Sequence, residues 1–164
     1  ILSLETRLFN ALVAAVALVS ILRGSGVNTA GPDGAALPSM PMAMALFASD
    51  VAGAAWPMLA AFVGGLGAFI TGSCTVSDML FANFQWDMGG LLNYPALGKY
   101  IIVAAQGVGG AAGNMICIHN IVAVCAVLGM IGKEGIILRR TIWPFLLYCV
   151  VAGTVCFYLI GRVL

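Results

Sequence analysis

The chain is divided into apolar segments, and the last of them, residues 141–162, is long enough to cross a lipid bilayer. About 20 consecutive helical residues reach across the hydrocarbon core. Only 8% of the residues are charged, whereas a soluble domain carries about 25%. So few charges cannot cover a water-exposed surface. The sequence therefore predicts an all-α integral membrane protein, a bundle of transmembrane helices, and excludes a soluble domain.

The rest of the composition fits the same fold class. There are 21 glycines, and small residues let transmembrane helices approach closely. The net charge of +1 comes without a basic tract, so no nucleic-acid partner is expected. The five cysteines form no C-x-x-C pair, which favours buried free thiols. We expect no catalytic residues, no metal site and no enzyme activity.

The first third of the chain predicts one span and one partial element. Residues 8–22, extended by residues 1–7, are long enough for a span, and residues 24–41 form a loop outside the membrane. Residues 42–55 predict a short helix at the interface, or one that dips partway into the membrane, because it contains Asp50. No initiating Met or signal peptide precedes the first span. Residues 1–164 are therefore expected to form a single transmembrane domain from the C-terminal part of a longer chain.

The middle of the chain predicts a re-entrant hairpin. Residues 56–70 and 76–88 are apolar arms on either side of a polar stretch, residues 71–78. Both arms are shorter than a full span, and such lengths are typical of re-entrant or broken elements. We therefore predict that the chain enters the membrane and returns, with residues 72–75 at the tip.

A second interrupted element follows and predicts a discontinuous helix. It begins at Lys99, is expected to break over residues 106–114, and resumes over residues 115–131. Residues 132–140 then form a loop before the final span. Non-helical backbone at membrane depth must be buried in protein or line a water-filled cavity. Transporters point half-helix N-termini at anionic substrate groups in such places, so the two breaks predict a site for a small carboxylate.

Polar side chains and glycines at the two breaks are the candidate ligands of that carboxylate. The first break concentrates hydroxyl groups and one thiol. Thr75 and Asp78 also fit a capping box, with Thr75 as the N-cap of the following helix. The two roles are compatible, because a binding site needs a capped half-helix. The candidate substrate-binding residues are Gly72, Ser73, Cys74, Thr75, Ser77, Gly110, Asn114 and Asn120.

Two ionisable side chains lie beside the breaks, Asp78 and His119. Either can change charge near physiological pH if its surroundings shift its pKa. An ionisable residue inside a membrane is by default a functional hypothesis, so both are candidates for proton coupling. The alternative for His119 is a neutral side chain that hydrogen-bonds Asn114 or a neighbouring helix.

Residues 107–112 match the dinucleotide-binding pattern G-x-G-x-x-[GA]. That fold also needs an acidic residue about 20 positions further on, within alternating strands and helices. The nearest acid, Glu134, lies in a charged loop, and both flanks resemble membrane helix. We therefore reject the dinucleotide interpretation. Gly109 and Gly113 are instead explained by close helix packing.

Aromatic residues near the segment ends indicate interfacial belts. They are Trp56, Trp86, Trp143 and Tyr100. The alternative for Trp86, which precedes Asp87, is that it lines a substrate path.

Three motifs together resemble the bacterial L-lactate permease family. They are GAFITGSCTVSD at residues 67–78, GGAAGNMICIHN at residues 109–120, and GKEG with RRT at residues 132–141. The resemblance covers about residues 23–144 in matching order. Members of the family are much longer, so the chain resembles only their C-terminal part. They often carry Asn in place of Cys74 and Asp78, which makes the Asp78 carboxylate a local variation.

The resemblance implies a secondary active transporter, a proton symporter for L-lactate and related 2-hydroxy monocarboxylates such as glycolate. The implied location is the bacterial cytoplasmic (inner) membrane. The implied partners of the transporter are the carboxylate substrate, the lipid bilayer and the missing N-terminal part of the same protein. The resemblance implies no cofactor beyond the proton. Two other classes stay open. A passive anion channel uses the same breaks without proton coupling, and a non-transporting subunit of a membrane redox complex needs cofactor ligands.

Overall fold

A computed structural model describes residues 4–26 and 37–164. All regular structure in these residues is helical, which confirms the all-α prediction. Contacts divide the chain into two compact units, residues 1–44 and residues 45–164, and each unit is described by itself. The single transmembrane domain over residues 1–164 stays a prediction.

The first unit consists of a helix and the start of the next one. Helix α1 (Leu4–Gly24) has 21 residues, as the predicted first span requires, although its membrane crossing stays a prediction. The Ser25 hydroxyl accepts the backbone N–H of Met40 at 2.7 Å, so the two ends of the predicted loop meet. Residues 27–36 of that loop lie outside the described residues. Helix α2 (Met40–Ala52) begins slightly before the predicted position.

Helix α2 leads through a short 3₁₀ turn (Gly53–Ala55) into α3 (Trp56–Thr71). Pro57 lies in the first turn of α3, as predicted, where a residue without N–H leaves no helical hydrogen bond unmade. The interruption between α2 and α3 is therefore slight. Met40–Thr71 together forms a helical stretch long and apolar enough to cross a membrane.

A two-residue connection folds α4 (Cys74–Leu91) back along α3. Gly72 ends α3 with φ of 75°, a left-handed conformation that glycine adopts without steric strain. The helices run antiparallel, because Ser77 bonds Gly64 near the tip and Gln85 bonds Trp56 near the open end. A helical hairpin therefore exists at the predicted place, while its re-entry from the membrane stays a prediction.

The predicted length of the second arm, residues 76–88, is wrong. Helix α4 has 18 residues because the polar residues near its end do not stop it. Gln85 is fully buried, and its amide is hydrogen-bonded to other helices. A satisfied polar side chain can continue inside a helix.

The predicted break at residues 106–114 is also wrong. Helix α5 (Ala96–Gly113) continues through the glycine-rich stretch, and the interruption lies at residues 114–117, before α6 (Ile118–Val127). A discontinuous helix is therefore present, with its break further along the chain. Gly109 and Gly113 remain helical because they contact α3, where packing outweighs their low helix propensity.

Helices α3 and α5 are in backbone contact. Gly109 packs on Ala61, Gly113 packs on Gly65, and Gly64 packs on the backbone of Gln106. A Cβ atom added to any of these glycines would collide with a carbonyl oxygen of the other helix. The order of the contacts shows that the two helices run parallel, and the packing interpretation of Gly109 and Gly113 is confirmed.

The last helix, α7 (Glu134–Val163), has 30 residues and runs antiparallel to α3. Gly153 packs on Met58, and Phe145 packs on Gly65, so the C-terminal end of α3 lies toward the N-terminal end of α7. The predicted loop over residues 132–140 is too long. Arg139 and Arg140 already belong to α7, because Glu134 in its first turn favours an early start.

Three helical stretches in the described part of the chain are long and apolar enough to cross a membrane. They are Met40–Thr71, Ala96–Val127 and Glu134–Val163. This confirms the predicted fold class of a helical integral membrane protein, including the predicted final span.

Candidate functional site

The two helix breaks lie side by side. Helices α3 and α5 run parallel, so both breaks are at the same end of the helix bundle. A Cβ atom on Gly72 would lie 3.4 Å from Cys117 Sγ and 3.5 Å from His119 Nδ1. The hairpin tip and the second break are therefore neighbours, as a shared site would require.

Ser73 is the residue that starts the second arm of the hairpin. Its hydroxyl accepts the backbone N–H of Val76 at 3.4 Å, which makes Ser73 the N-cap of α4. The predicted capping box of Thr75 and Asp78 is wrong, because Gly72 ends α3 early enough for α4 to begin at Cys74. Thr75 is exposed on the first turn of α4.

The second break is held by two asparagines. Asn120 Nδ2 lies 3.4 Å from both the backbone oxygen and Oδ1 of Asn114. In the described residues Asn114 is therefore bonded by Asn120, and the predicted alternative in which His119 bonds Asn114 is wrong. His119 is exposed, with Nδ1 3.7 Å from Cys117 Sγ. An open groove of about 220 Å³ is lined by Asn114, Met115, Asn120, Ile121, Val124 and Ile137.

Asp78 faces α5 one helical turn after Cys74. A Cβ atom on Gly110 would lie 3.4 Å from Asp78 Oδ1 and 3.7 Å from Cys74 Cβ, and one on Gly107 would lie 3.7 Å from Asp78 Oδ2. Asp78 Oδ1 is buried and has no hydrogen-bond partner among the described residues. A buried carboxylate oxygen without a donor is costly. The glycines leave room for a group that supplies one, or the carboxyl group carries a proton.

A chain of hydrogen bonds crosses the core next to Asp78. Trp56 Nε1 donates to Gln85 Oε1 at 2.8 Å, and Gln85 Nε2 donates to Gln106 Oε1 at 3.1 Å. Gln106 Nε2 donates to Ser77 Oγ at 3.2 Å, and Ser77 Oγ donates to the carbonyl of Gly64 at 2.8 Å. The four side chains, Trp56, Gln85, Gln106 and Ser77, are called the buried polar chain below. They join α3, α4 and α5.

Sequence reasoning missed the buried polar chain apart from Ser77. Gln85 lies inside the predicted second arm, Gln106 is the first residue of the predicted break, and Trp56 is assigned to an interfacial belt. The belt interpretation is wrong for Trp56, which is buried and packs edge-on to Phe84. The signal that pointed to the chain was present, because an amide inside an apolar helix is costly unless it finds a partner.

Several predicted residues do not join the breaks. No hydrogen bond connects Asp78 with His119 in the described part of the chain. Trp86 lies at the other end of α4, 5.2 Å from the Tyr100 ring and 5.4 Å from Lys99 Nζ, measured to ring centroids. If Trp86 lines a substrate path, that part of the path therefore lies away from the two helix breaks. Four of the free cysteines are buried as predicted, and Cys74 is partly exposed.

These features define a helical membrane protein whose two helix breaks form a shared polar region. The chain matches the family model described as L-lactate permease over residues 4–163, and it belongs to that family. The match extends beyond the three motifs at both ends. It is a family of permeases, and the prediction that the chain is not an enzyme is confirmed.

The relatives carry names of two kinds. A Haemophilus influenzae protein with the provisional name L-lactate permease is 32% identical, over 93% of this chain and 26% of its own length. The glycolate permease and the L-lactate permease of Escherichia coli are each 35% identical, over 63% of this chain and 18% of their own lengths. The chain thus spans about a quarter or less of the relatives' lengths. No solved structure matches the chain.

Proposed function

We propose that the chain is part of a secondary transporter that takes up L-lactate and related 2-hydroxy monocarboxylates, glycolate among them, by proton symport across the bacterial cytoplasmic membrane. The observation that supports this most strongly is the contact between the hairpin tip and the second break. The names of the relatives supply the substrate class. The missing N-terminal part of the transporter completes the site.

The N-terminus of α4 provides the anion-binding element in this proposal. The first backbone N–H groups of a helix have no intrahelical partner, and the helix dipole favours negative charge there. The Ser73 hydroxyl lies at this N-terminus. Gly72 keeps the position next to Cys117 and His119 free of a side chain.

The second break and α7 add polar and positive groups at the same end. The Asn114 and Asn120 amides line an open groove and suit the 2-hydroxyl group. Arg139 and Arg140 line another open groove, of about 690 Å³, near the N-terminus of α7. Positive charge beside a site raises the local concentration of an anionic substrate.

The proton step is assigned to Asp78 and His119. Protonation would remove the charge of the Asp78 carboxyl group, whereas a donor that enters the space left by Gly107 and Gly110 would pair its Oδ1 atom. His119 is exposed beside the hairpin tip. A carboxylate that arrives there favours protonated His119, which couples substrate binding to proton uptake.

The test is uphill uptake by the full-length protein in liposomes. With an inward pH gradient, L-lactate should accumulate above its external concentration, and a protonophore should abolish the accumulation. A passive channel would only equilibrate lactate across the membrane. Equilibration without accumulation would therefore contradict symport and support the channel. The second alternative, a redox subunit, would show no lactate-specific flux.

A further inference from the structure

We propose that one exposed face of α6 packs against a transmembrane helix from the part of the transporter that lies outside this chain. This face, called the outer face of α6 below, consists of His119, Val122, Ala123 and Ala126. The inference deepens the proposed function, because it places the hairpin tip beside His119 between two parts of the protein. It rests on that function only for the substrate, since the packing argument needs only the membrane location and the exposed side chains.

Helix α6 is packed on one side only. Ile121 and Cys125 are its buried residues, four positions apart, and among the described helices α6 packs mainly on α7. The outer face is exposed over its whole length. Its four residues follow the i, i+3, i+4, i+7 spacing of a single helix face. A continuous helix surface therefore lacks a covering helix in the described part of the chain.

Lipid is a poor neighbour for the outer face. Helix α6 belongs to the stretch Ala96–Val127, which is long and apolar enough to cross a membrane. His119 is exposed within that stretch, and the sulfur of Cys117 lies 3.7 Å from its Nδ1 atom. Ionisable side chains within a span almost always face the interior of a helix bundle or a water-filled cavity. The outer face is therefore expected to be covered by protein or by water.

Helix α7 carries a surface that suits lipid. Leu147, Val150 and Val155 are exposed and apolar. The exposed Thr154 hydroxyl donates to the Val150 carbonyl at 2.7 Å, so it needs no partner outside its own helix. Such a surface can face hydrocarbon without leaving a polar group unpaired. The outer face of α6 differs, because among the described residues the His119 imidazole makes no such bond to a backbone carbonyl.

The composition of the outer face favours a helix over water. Beyond His119 the face is apolar, with Val122 followed by Ala123 and Ala126. A water-filled cavity would leave these apolar side chains hydrated. Two alanines let a second helix approach closely, and a histidine can hydrogen-bond across such a contact. A packed transmembrane helix therefore fits the whole face.

The length of the relatives identifies the source of that helix. The Haemophilus influenzae relative matches 93% of this chain, but the match covers only 26% of its own length. About three quarters of such a transporter therefore lies outside the matched region and must pack against it to form one protein. A second copy of the chain is the competing occupant, and two-fold symmetry would place two identical outer faces against each other.

The test is spin labelling of the full-length protein in liposomes, in a Cys74→Ser background because the other native thiols are buried. A nitroxide is attached to Ala123→Cys and, as the matched control, to Leu147→Cys, where the native side chain is 66% exposed. Collisions with oxygen report lipid, and collisions with a water-soluble nickel chelate report water. We expect both collision rates to be low at position 123 and the oxygen rate to be several-fold higher at position 147.

Four results would overturn the inference. An oxygen rate at position 123 as high as that at position 147 would mean that lipid covers the face, and a high nickel rate would mean a water-filled cavity. Spin–spin broadening that disappears on dilution with unlabelled protein would mean a second copy. A low oxygen rate at both positions would show that the cover is not specific to the outer face.

A second pair of variants guards against a label that disturbs the contact. Ala123→Phe adds a ring to the outer face and should lower the amount of folded full-length protein in the membrane, whereas Leu147→Phe should leave it unchanged. Equal amounts of the two variants would contradict the inference. A shielded position 123 in a protein that does not accumulate lactate would count against the proposed function and leave the packing interface standing.

Discussion

Ser77 connects α4 to both α3 and α5 through hydrogen bonds. It is fully buried, accepts from Gln106 and donates to the Gly64 carbonyl. Ser77→Ala removes the acceptor of a buried Gln106 N–H group, and an unpaired buried polar group costs about 1–3 kcal/mol. We expect a clear fall in the melting temperature of the full-length protein in detergent. Ser49→Ala is the control, because the Ser49 hydroxyl bonds only a carbonyl of its own helix, and an equal fall there would contradict the prediction.

His119 supports a prediction about coupling. Because His119 is exposed beside the hairpin tip, His119→Gln should leave folding intact and remove the imidazole group to which the proton step is assigned. We expect lactate exchange across liposome membranes to continue while uphill accumulation driven by a pH gradient is lost. Accumulation at the normal level would assign the proton step to Asp78 alone.

Among the helices, α3 and α5 depend most on the absence of side chains. A Cβ atom on Gly109 would overlap the Ala61 carbonyl oxygen, and neither backbone can move away without separating the pair. Gly109→Ala should therefore sharply lower the amount of folded protein in the membrane. Gly161→Ala on α7 is the matched control, since nothing lies within 4 Å of its added Cβ. That change should be neutral or slightly stabilising. Similar losses for both variants would point to a general intolerance of alanine.

The hairpin predicts which side of the membrane its ends occupy. Ala55 precedes α3, Asn93 follows α4, and both are exposed. Cysteines placed there should react with a membrane-impermeant reagent added to the same side. Cys74→Ser is the suitable background, because the other native thiols are buried. Reaction from opposite sides would contradict the antiparallel pairing. A cysteine in place of Thr75 that stays protected from that side and from the other would support re-entry.

How far the elements follow from the sequence depends on what stops a helix. Pro57 and Gly72 act through local backbone geometry, so the start and end of α3 were predicted closely. The glycines of residues 107–113 were interpreted as a break because the helix that covers them is distant in sequence. The role of Gln85 was missed for the same reason, since its partner is Trp56. Local signals were predictable, and those that depend on tertiary partners were not.

The candidate site was likewise only partly predictable from the sequence. That two polar breaks matter was predictable from their composition, and the fold brings them together at Gly72, Cys117 and His119. Which side chain caps α4 was not predictable, because the helix begins two residues earlier than expected and its N-cap is Ser73 instead of Thr75. The roles of the individual residues in binding and proton transfer stay predictions.

For the whole molecule, charge is distributed unevenly along α7. Arg139 and Arg140 lie toward the end where the breaks are, and Arg162 lies at the other end. If the arginines concentrate the anionic substrate, replacing both with Gln should raise the KM for lactate at low ionic strength and much less at high salt, where charges are screened. Arg162→Gln should change the KM little at either ionic strength. A salt-independent rise in KM would instead indicate direct contact or misfolding.

The backbone contact between α3 and α5 has a mechanical consequence. Sliding α5 along α3 would drive the Cα hydrogens of Gly109 and Gly113 into the carbonyl groups of α3. The two helices are therefore expected to translate and tilt as one rigid body. Each carries one break at its end. If the transporter alternates between openings on the two sides of the membrane, the two breaks therefore move together. The substrate then stays between them during the transition and is not released by their separation.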